Sequence, residues 1–148
     1  MTRTLHINPA ALVHIRTHGR EAFPEECCGF LFGKDGETRQ VHSAQRTPNI
    51  APENRKRRYV IDPVEYMKAE RHAALNGLDL LGIYHTHPNH PAVASAHDRN
   101  QAAPHFSYVI LSVREGEPAE VQSWVLNEDG SAMDEERIIE HFEIEYNN

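Results

Sequence analysis

The stretch Gly82-Ile83-Tyr84-His85-Thr86-His87-Pro88-Asn89-His90-Pro91-Ala92-Val93-Ala94-Ser95-Ala96-His97-Asp98 decides both the fold and the chemistry. It opens on the end of an apolar run, Leu78 to Tyr84, which reads as a buried strand. His85 and His87 follow, two positions apart. On a helix such a pair would diverge by about 200°, whereas at a strand end both imidazoles project from one face. Two neutral imidazoles so placed begin a transition-metal site, zinc being the commonest such metal. Pro88 to Ala94 is a proline-rich loop, and Ser95 to Ala103 reads as a short helix stopped by Pro104. The loop can swing that helix back over the strand end.

Two histidines alone hold a metal weakly, so a third ligand must come from elsewhere. Asp98, in the first turn of the helix, is the best candidate, and Ser95 shares its face three positions earlier. Two imidazoles and one carboxylate leave a fourth tetrahedral position for water, the mark of a catalytic rather than a structural zinc. Water on zinc has a pKa of about 7. Hydrolysis then still needs a proton carrier, for which a carboxylate outside the metal shell is the usual solution. Ser95 could donate its hydroxyl to the oxyanion of a tetrahedral intermediate. Ser-x-x-Asp is equally the pattern of a capping box, and the two roles can coexist.

Outward from this stretch, strands and helices alternate. Thr4 to Ile7 reads as a short edge strand, and Asn8-Pro9 starts a helix running to about Ala22. Cys28 to Gly33 is a buried strand, and the Asp35-Gly36 turn returns it as a hairpin through Val41. Thr47 to Asn54 is loop, and Tyr59 to Ile61 a short strand. Asp62-Pro63 caps a second helix that Gly77 terminates. Phe106 to Val113 and Ala119 to Leu126 are strands, with a turn at Glu115-Gly116. The tail is ambiguous: Glu135 to Glu140 reads as helical, while Phe142, Ile144 and Tyr146 alternate like a strand. Gly29 and Gly33 read as close-packing or turn glycines, and Tyr84 and Trp124 as core. The expected class is α/β, a mixed sheet flanked by helices.

With 148 residues, the chain is expected to form one domain, residues 1–148. The formal net charge of −7 argues against general nucleic-acid binding. A local exception, Arg55-Lys56-Arg57-Arg58, reads either as a solvated loop or as a docking patch for an acidic stretch of a partner. No run approaches the ~20 apolar residues of a membrane span, and the N-terminal residues lack the pattern of a secretory peptide. Cys27 and Cys28 are adjacent, which disfavours a disulfide between them and suits a reducing, cytoplasmic setting.

The pattern His85-x-His87-Pro88, six residues, Ser95, two residues, Asp98 resembles the signature of the JAMM/MPN-plus zinc metallopeptidases. That family pairs the signature with an upstream glutamate in the context Pro-x-Glu-x-Cys-Gly, which Pro24-Glu25-Glu26-Cys27-Cys28-Gly29 matches in the register of Glu26. The resemblance runs from Pro24 through the strand at Tyr108, with Ala94 standing where many members have proline. It implies a cytidine-deaminase-like three-layer α/β/α sandwich with a mixed central sheet. It also implies one zinc ion per chain on His85, His87 and Asp98, with Glu26 activating the water and Ser95 stabilising the oxyanion. Short members resembling this chain act on a small ubiquitin-like sulfur-carrier protein with a Gly-Gly tail, releasing cysteine or a short tail. Two other functions stay open: broader removal of ubiquitin-like modifiers from lysines, and a non-catalytic scaffold. A homodimer is also held open. A nucleobase deaminase would need His-x-Glu and a later Cys-x-x-Cys, whereas this stretch has His-x-His and the chain has no Cys-x-x-Cys.

Overall fold

Each helix begins where the sequence supplies a cap. The Asn8 side chain accepts the Ala10 N–H to start α1 (Pro9–Ala22), and Asp62 accepts the Val64 N–H to start α2 (Pro63–Leu75). Gly77 takes a left-handed φ of 63° just past α2, as expected of a helix terminator. The computed structural model describes residues 3–141. Its remaining elements are β1 (Thr4–Ile7), β2 (Cys28–Lys34), β3 (Arg39–Thr47), β4 (Asp79–Pro88), α3 (Ala96–Gln101), β5 (Ser107–Arg114), β6 (Glu117–Leu126) and β7 (Met133–Glu140).

The strands form one mixed sheet in the order β1-β3-β2-β4-β5-β6-β7, which closes because β7 returns to β1. The β4–β5 pair is parallel, which requires a crossover, and α3 lies within it. β2 runs antiparallel to β4 with Cys28 opposite His85, so the start of β2 meets the end of β4.

Helices pack on both faces of the sheet. Ala11, Leu12 and Ile15 of α1 join Leu31, Tyr84, Val109 and Leu111 in one buried cluster. Ala69 and Ala73 of α2 join Phe30, Phe32 and Ile83 in another. Full burial of a side chain such as Leu12 or Ile15 contributes about 2 kcal/mol. A register shift between Leu31 and Phe32 leaves Leu81 outside the regular pairing with β2. Beyond it the alternation of β4 sends Ile83 toward α2 and Tyr84 toward α1. His85 and His87 share the parity of Ile83.

Four expectations differ from what is observed. Thr4–Ile7 is a strand but not an edge, since it pairs in parallel with both β3 and β7. Tyr59 to Ile61 is not a strand; one backbone bond from Ile50 N–H to the Val60 carbonyl and the amide of Asn49 hold it instead. Glu135 to Glu140 is strand rather than helix, because ladders with β6 and β1 override the helix preference of its glutamates. Phe142, Ile144 and Tyr146 lie outside the described residues. The mixed α/β class stands, but the sheet closes on itself, which an open sandwich sheet does not. No helix among the described residues is long and apolar enough to cross a membrane.

Candidate active site

The β2–β4 ladder brings Glu26 to the histidines. The Cys27 N–H donates to Thr86 Oγ1 at 2.9 Å, and the Thr86 N–H donates to the Cys27 carbonyl at 3.1 Å. Glu26, one residue upstream, is further fixed by its own N–H to the Arg55 carbonyl at 2.8 Å and by the Asn49 amide on its carbonyl at 3.0 Å. Its side chain is 6% exposed, and Oε1 lies 3.4 Å from Nδ1 of His85. His85 and His87 sit within β4, opposite Ile110 and Ser112 of β5, so strand pairing rather than a free strand end sets their positions. The i, i+2 reading of the pair is correct.

Asp98 comes from α3. The 88–94 loop that carries it is pinned to β5 and β6: the Asn89 N–H donates to the Val113 carbonyl, the Ser112 hydroxyl to the His90 carbonyl, and the Trp124 indole to the Ala92 carbonyl. Ser95 caps α3 with a full box, Oγ accepting the Asp98 N–H at 3.0 Å while Asp98 Oδ2 accepts the Ser95 N–H at 2.9 Å. The box fixes the Asp98 rotamer. Oδ2 stands 3.1 Å from His87 Nε2, and Oδ1 stands 3.7 Å from His85 Nε2. One donor atom each from His85, His87 and Asp98 lie within 4.8 Å of one another, and all three residues are buried.

The chemistry of this set fits a cation. His87 Nδ1 lies 2.8 Å from the Pro91 carbonyl, so that nitrogen carries the ring proton and turns the Nε2 lone pair toward the Asp98 carboxylate. A lone pair facing a carboxylate needs a positive charge between them. Both ring nitrogens of His85, and Glu26 Oε1 beside them, are buried without a hydrogen-bond partner, and such groups are costly unless something completes them. Burial opposes the charged His87, but the hydrogen bonds to Asp98 and Pro91 outweigh it and raise its pKa. Burial likewise disfavours the Asp98 carboxylate, yet His87, His85 and the Ser95 N–H hold its pKa well below the usual range.

The model of the family described as prokaryotic homologs of the JAB domain matches residues 9–127. The chain belongs to the prokaryotic JAB family. This JAB protein, of the JAMM type, is therefore a hydrolase. It is 38% identical over 103 residues to a desampylase of Haloferax volcanii, covering 66% of this chain and 73% of the relative. It is 33% identical over 107 residues to a probable TtuB-protein conjugate cleaving protease of Thermus thermophilus, covering 72% and 69%. A solution structure of a protein from Desulfitobacterium hafniense superposes with a TM-score of 0.81 at 32% identity, covering 96% of each chain.

All five residues singled out from the sequence thus meet at one place in the JAB fold. Ser95, exposed at the cleft, and buried Glu26, His87 and Asp98 line a cavity of about 250 Å³. His90 lines the same cavity and lies outside the group of His85, His87 and Asp98. Burial pushes the Cys27 thiol up to about 12 and that of Cys28 higher still, so neither is a nucleophile.

Sequence reasoning missed Tyr59, whose ring stacks on His85 with centroids 4.5 Å apart and planes 25° from parallel. It also missed Asn49, whose amide ties the carbonyls of Glu26 and Arg58 together. Neither carries a local signal, because each acts on residues distant in sequence. Trp124, read as core, is half-buried and holds the loop before α3 by its indole bond to the Ala92 carbonyl.

Proposed function

We propose that this chain is a zinc-dependent peptidase that hydrolyses the bond after the C-terminal Gly-Gly of a small ubiquitin-like protein. The observation that carries the reading is the buried group of His85, His87 and Asp98, beside an unpartnered Glu26 Oε1. His85, His87 and Asp98 would hold one zinc ion. When bound, zinc would supply Lewis acidity toward the scissile carbonyl and the attacking water. Glu26 takes a proton from the attacking water and returns it to the leaving nitrogen as the C–N bond breaks. Its burial in a fixed backbone suits that shuttle. The Ser95 hydroxyl accepts the Asp98 N–H and keeps its own proton for the oxyanion of the tetrahedral intermediate. The chain acts as one catalytic domain, and helices on both sheet faces support reading the fold as a curled form of the α/β/α arrangement. A reducing compartment such as the cytoplasm suits two buried free thiols.

The Thermus relative is named for cleaving protein conjugates, and that name supports a conjugate as substrate here. The second form is a sulfur carrier whose Gly-Gly is followed by a single cysteine, where the same bond is cut. Incubating the zinc-loaded protein with a carrier–lysine conjugate and a carrier–cysteine adduct, and weighing the products, tests both forms. Glu26→Gln should keep its zinc and lose at least about 100-fold in turnover. Unchanged turnover in that variant removes Glu26 from the reaction.

A further inference from the structure

Two unlike chain segments line the cleft beside the metal-site residues. One supplies Pro88, His90, Pro91 and Val93. The other supplies Lys56, Arg57 and Arg58. These three side chains are exposed, and none has a carboxylate partner among the described residues. In a chain of net charge −7, three unpaired cations on one wall run against the overall charge.

The cations ride on a fixed segment. Arg55 Nε donates to the Ala51 carbonyl at 2.6 Å, the Arg57 N–H to the Asn54 carbonyl at 3.0 Å, and the Asn49 amide to the Arg58 carbonyl at 3.0 Å. The Arg55 carbonyl accepts the Glu26 N–H, so the segment and the proton carrier share one backbone frame. The backbone that bears the basic side chains is therefore fixed beside the site, and the Arg58 guanidinium also donates to the Arg57 carbonyl at 2.9 Å.

We propose that Lys56, Arg57 and Arg58 form an anion-reading wall for the α-carboxylate of the residue that leaves from the Gly-Gly bond. The inference rests on the peptidase reading and deepens it. A Gly-Gly tail has no charged side chains. In a substrate ending Gly-Gly-Xaa, the α-carboxylate is the one ionised backbone group near the scissile bond, one residue beyond it. In a lysine linkage the corresponding nitrogen is a neutral amide at the end of four methylenes, with no carboxylate at that distance. Guanidinium groups pair with carboxylates in a two-pronged geometry that few other groups match. The wall thus sorts a carrier carrying one terminal residue from a carrier attached to a lysine.

The test uses fluorescein-labelled nonapeptides ending Gly-Gly-Ala, one as the free acid and one as the carboxamide. A third peptide joins Gly-Gly to a lysine side chain flanked by glutamates. Binding to zinc-loaded Glu26→Gln protein is read by anisotropy, and cleavage by the wild-type protein is read as kcat and KM. The free acid should bind about tenfold tighter than the carboxamide. The gain should lie in KM rather than kcat and shrink with added salt. It should fall below about twofold when Lys56→Gln, Arg57→Gln and Arg58→Gln are combined in the Glu26→Gln background. Because all three side chains are exposed, that protein should melt with its parent. Equal affinity for acid and carboxamide, no binding of either, or a preference that survives the three substitutions would overturn the proposal. Tighter binding of the glutamate-flanked lysine peptide would assign the wall to the acceptor protein and overturn it too. Carboxylate-dependent binding with no cleavage of any peptide would instead count against the peptidase reading and uphold the wall.

Discussion

Asp98 shows how one residue can serve fold and site together. Its N–H and carboxylate close the capping box with Ser95, and the same carboxylate faces both histidines. Ser95→Ala removes one half of the box, and a loss of about 1 kcal/mol in thermal or denaturant unfolding is expected. Tyr59 acts one step out, holding the plane of His85 by stacking. Tyr59→Leu should keep the fold and lower activity or zinc affinity about tenfold, as loss of outer support does at metal sites. Activity assays beside zinc titration check this. That these five residues come together was legible because their spacing is rigid over a short strand–loop–helix stretch and a short upstream motif. Tyr59 and Asn49 were not, since stacking on His85 and bridging Glu26 to Arg58 depend on contacts no local pattern encodes.

At the scale of elements, the β2–β4 pair carries the site because its register is unforgiving. Gly29 lies opposite Tyr84, and a Cβ there would come within 2.2 Å of the Tyr84 ring and 2.4 Å of the Gln45 carbonyl. Gly29→Ala must therefore push Tyr84 or β3 aside, destabilising by about 1–3 kcal/mol and disturbing His85 next door. An unchanged melting temperature would show that the ladder yields without cost. Helices were read well because Asn8-Pro9, Asp62-Pro63 and Ser95 are strong starts. The tail was misread for a physical reason. Glu135, Glu136 and Arg137 favour helix locally, yet Glu136 turns inward as part of β7 and accepts hydrogen bonds from the Ser107 and Ser123 hydroxyls. Tertiary pairing overrode propensity.

Over the whole molecule, closure of the sheet joins the two ends of the described chain, a contact that period and propensity cannot announce. The cost of burying titratable groups appears at this scale as well. His18, 9% exposed and 2.6 Å from the Tyr84 hydroxyl, has its pKa held down to about 4, by burial first and then by Arg46 and His14. Unfolded histidine takes up its proton near pH ~6.5. As pH falls from there toward the folded value, the unfolded chain binds a proton that the folded chain refuses, so stability falls. The displacement from ~6.5 to about 4 makes the His18 share of that acid loss about 3 kcal/mol. His18→Gln should flatten the slope of unfolding free energy against pH, whatever its effect on absolute stability.

Zinc on His85, His87 and Asp98 underlies every step of the proposed reaction. Native mass spectrometry of protein reconstituted with zinc can weigh it, comparing wild type, Glu26→Gln and the paired substitution His87→Ala with Asp98→Ala. One zinc per chain is predicted for the first two and none for the third. A wild-type chain that binds no zinc, or a doubly substituted chain that still holds one, would rule out this metal site.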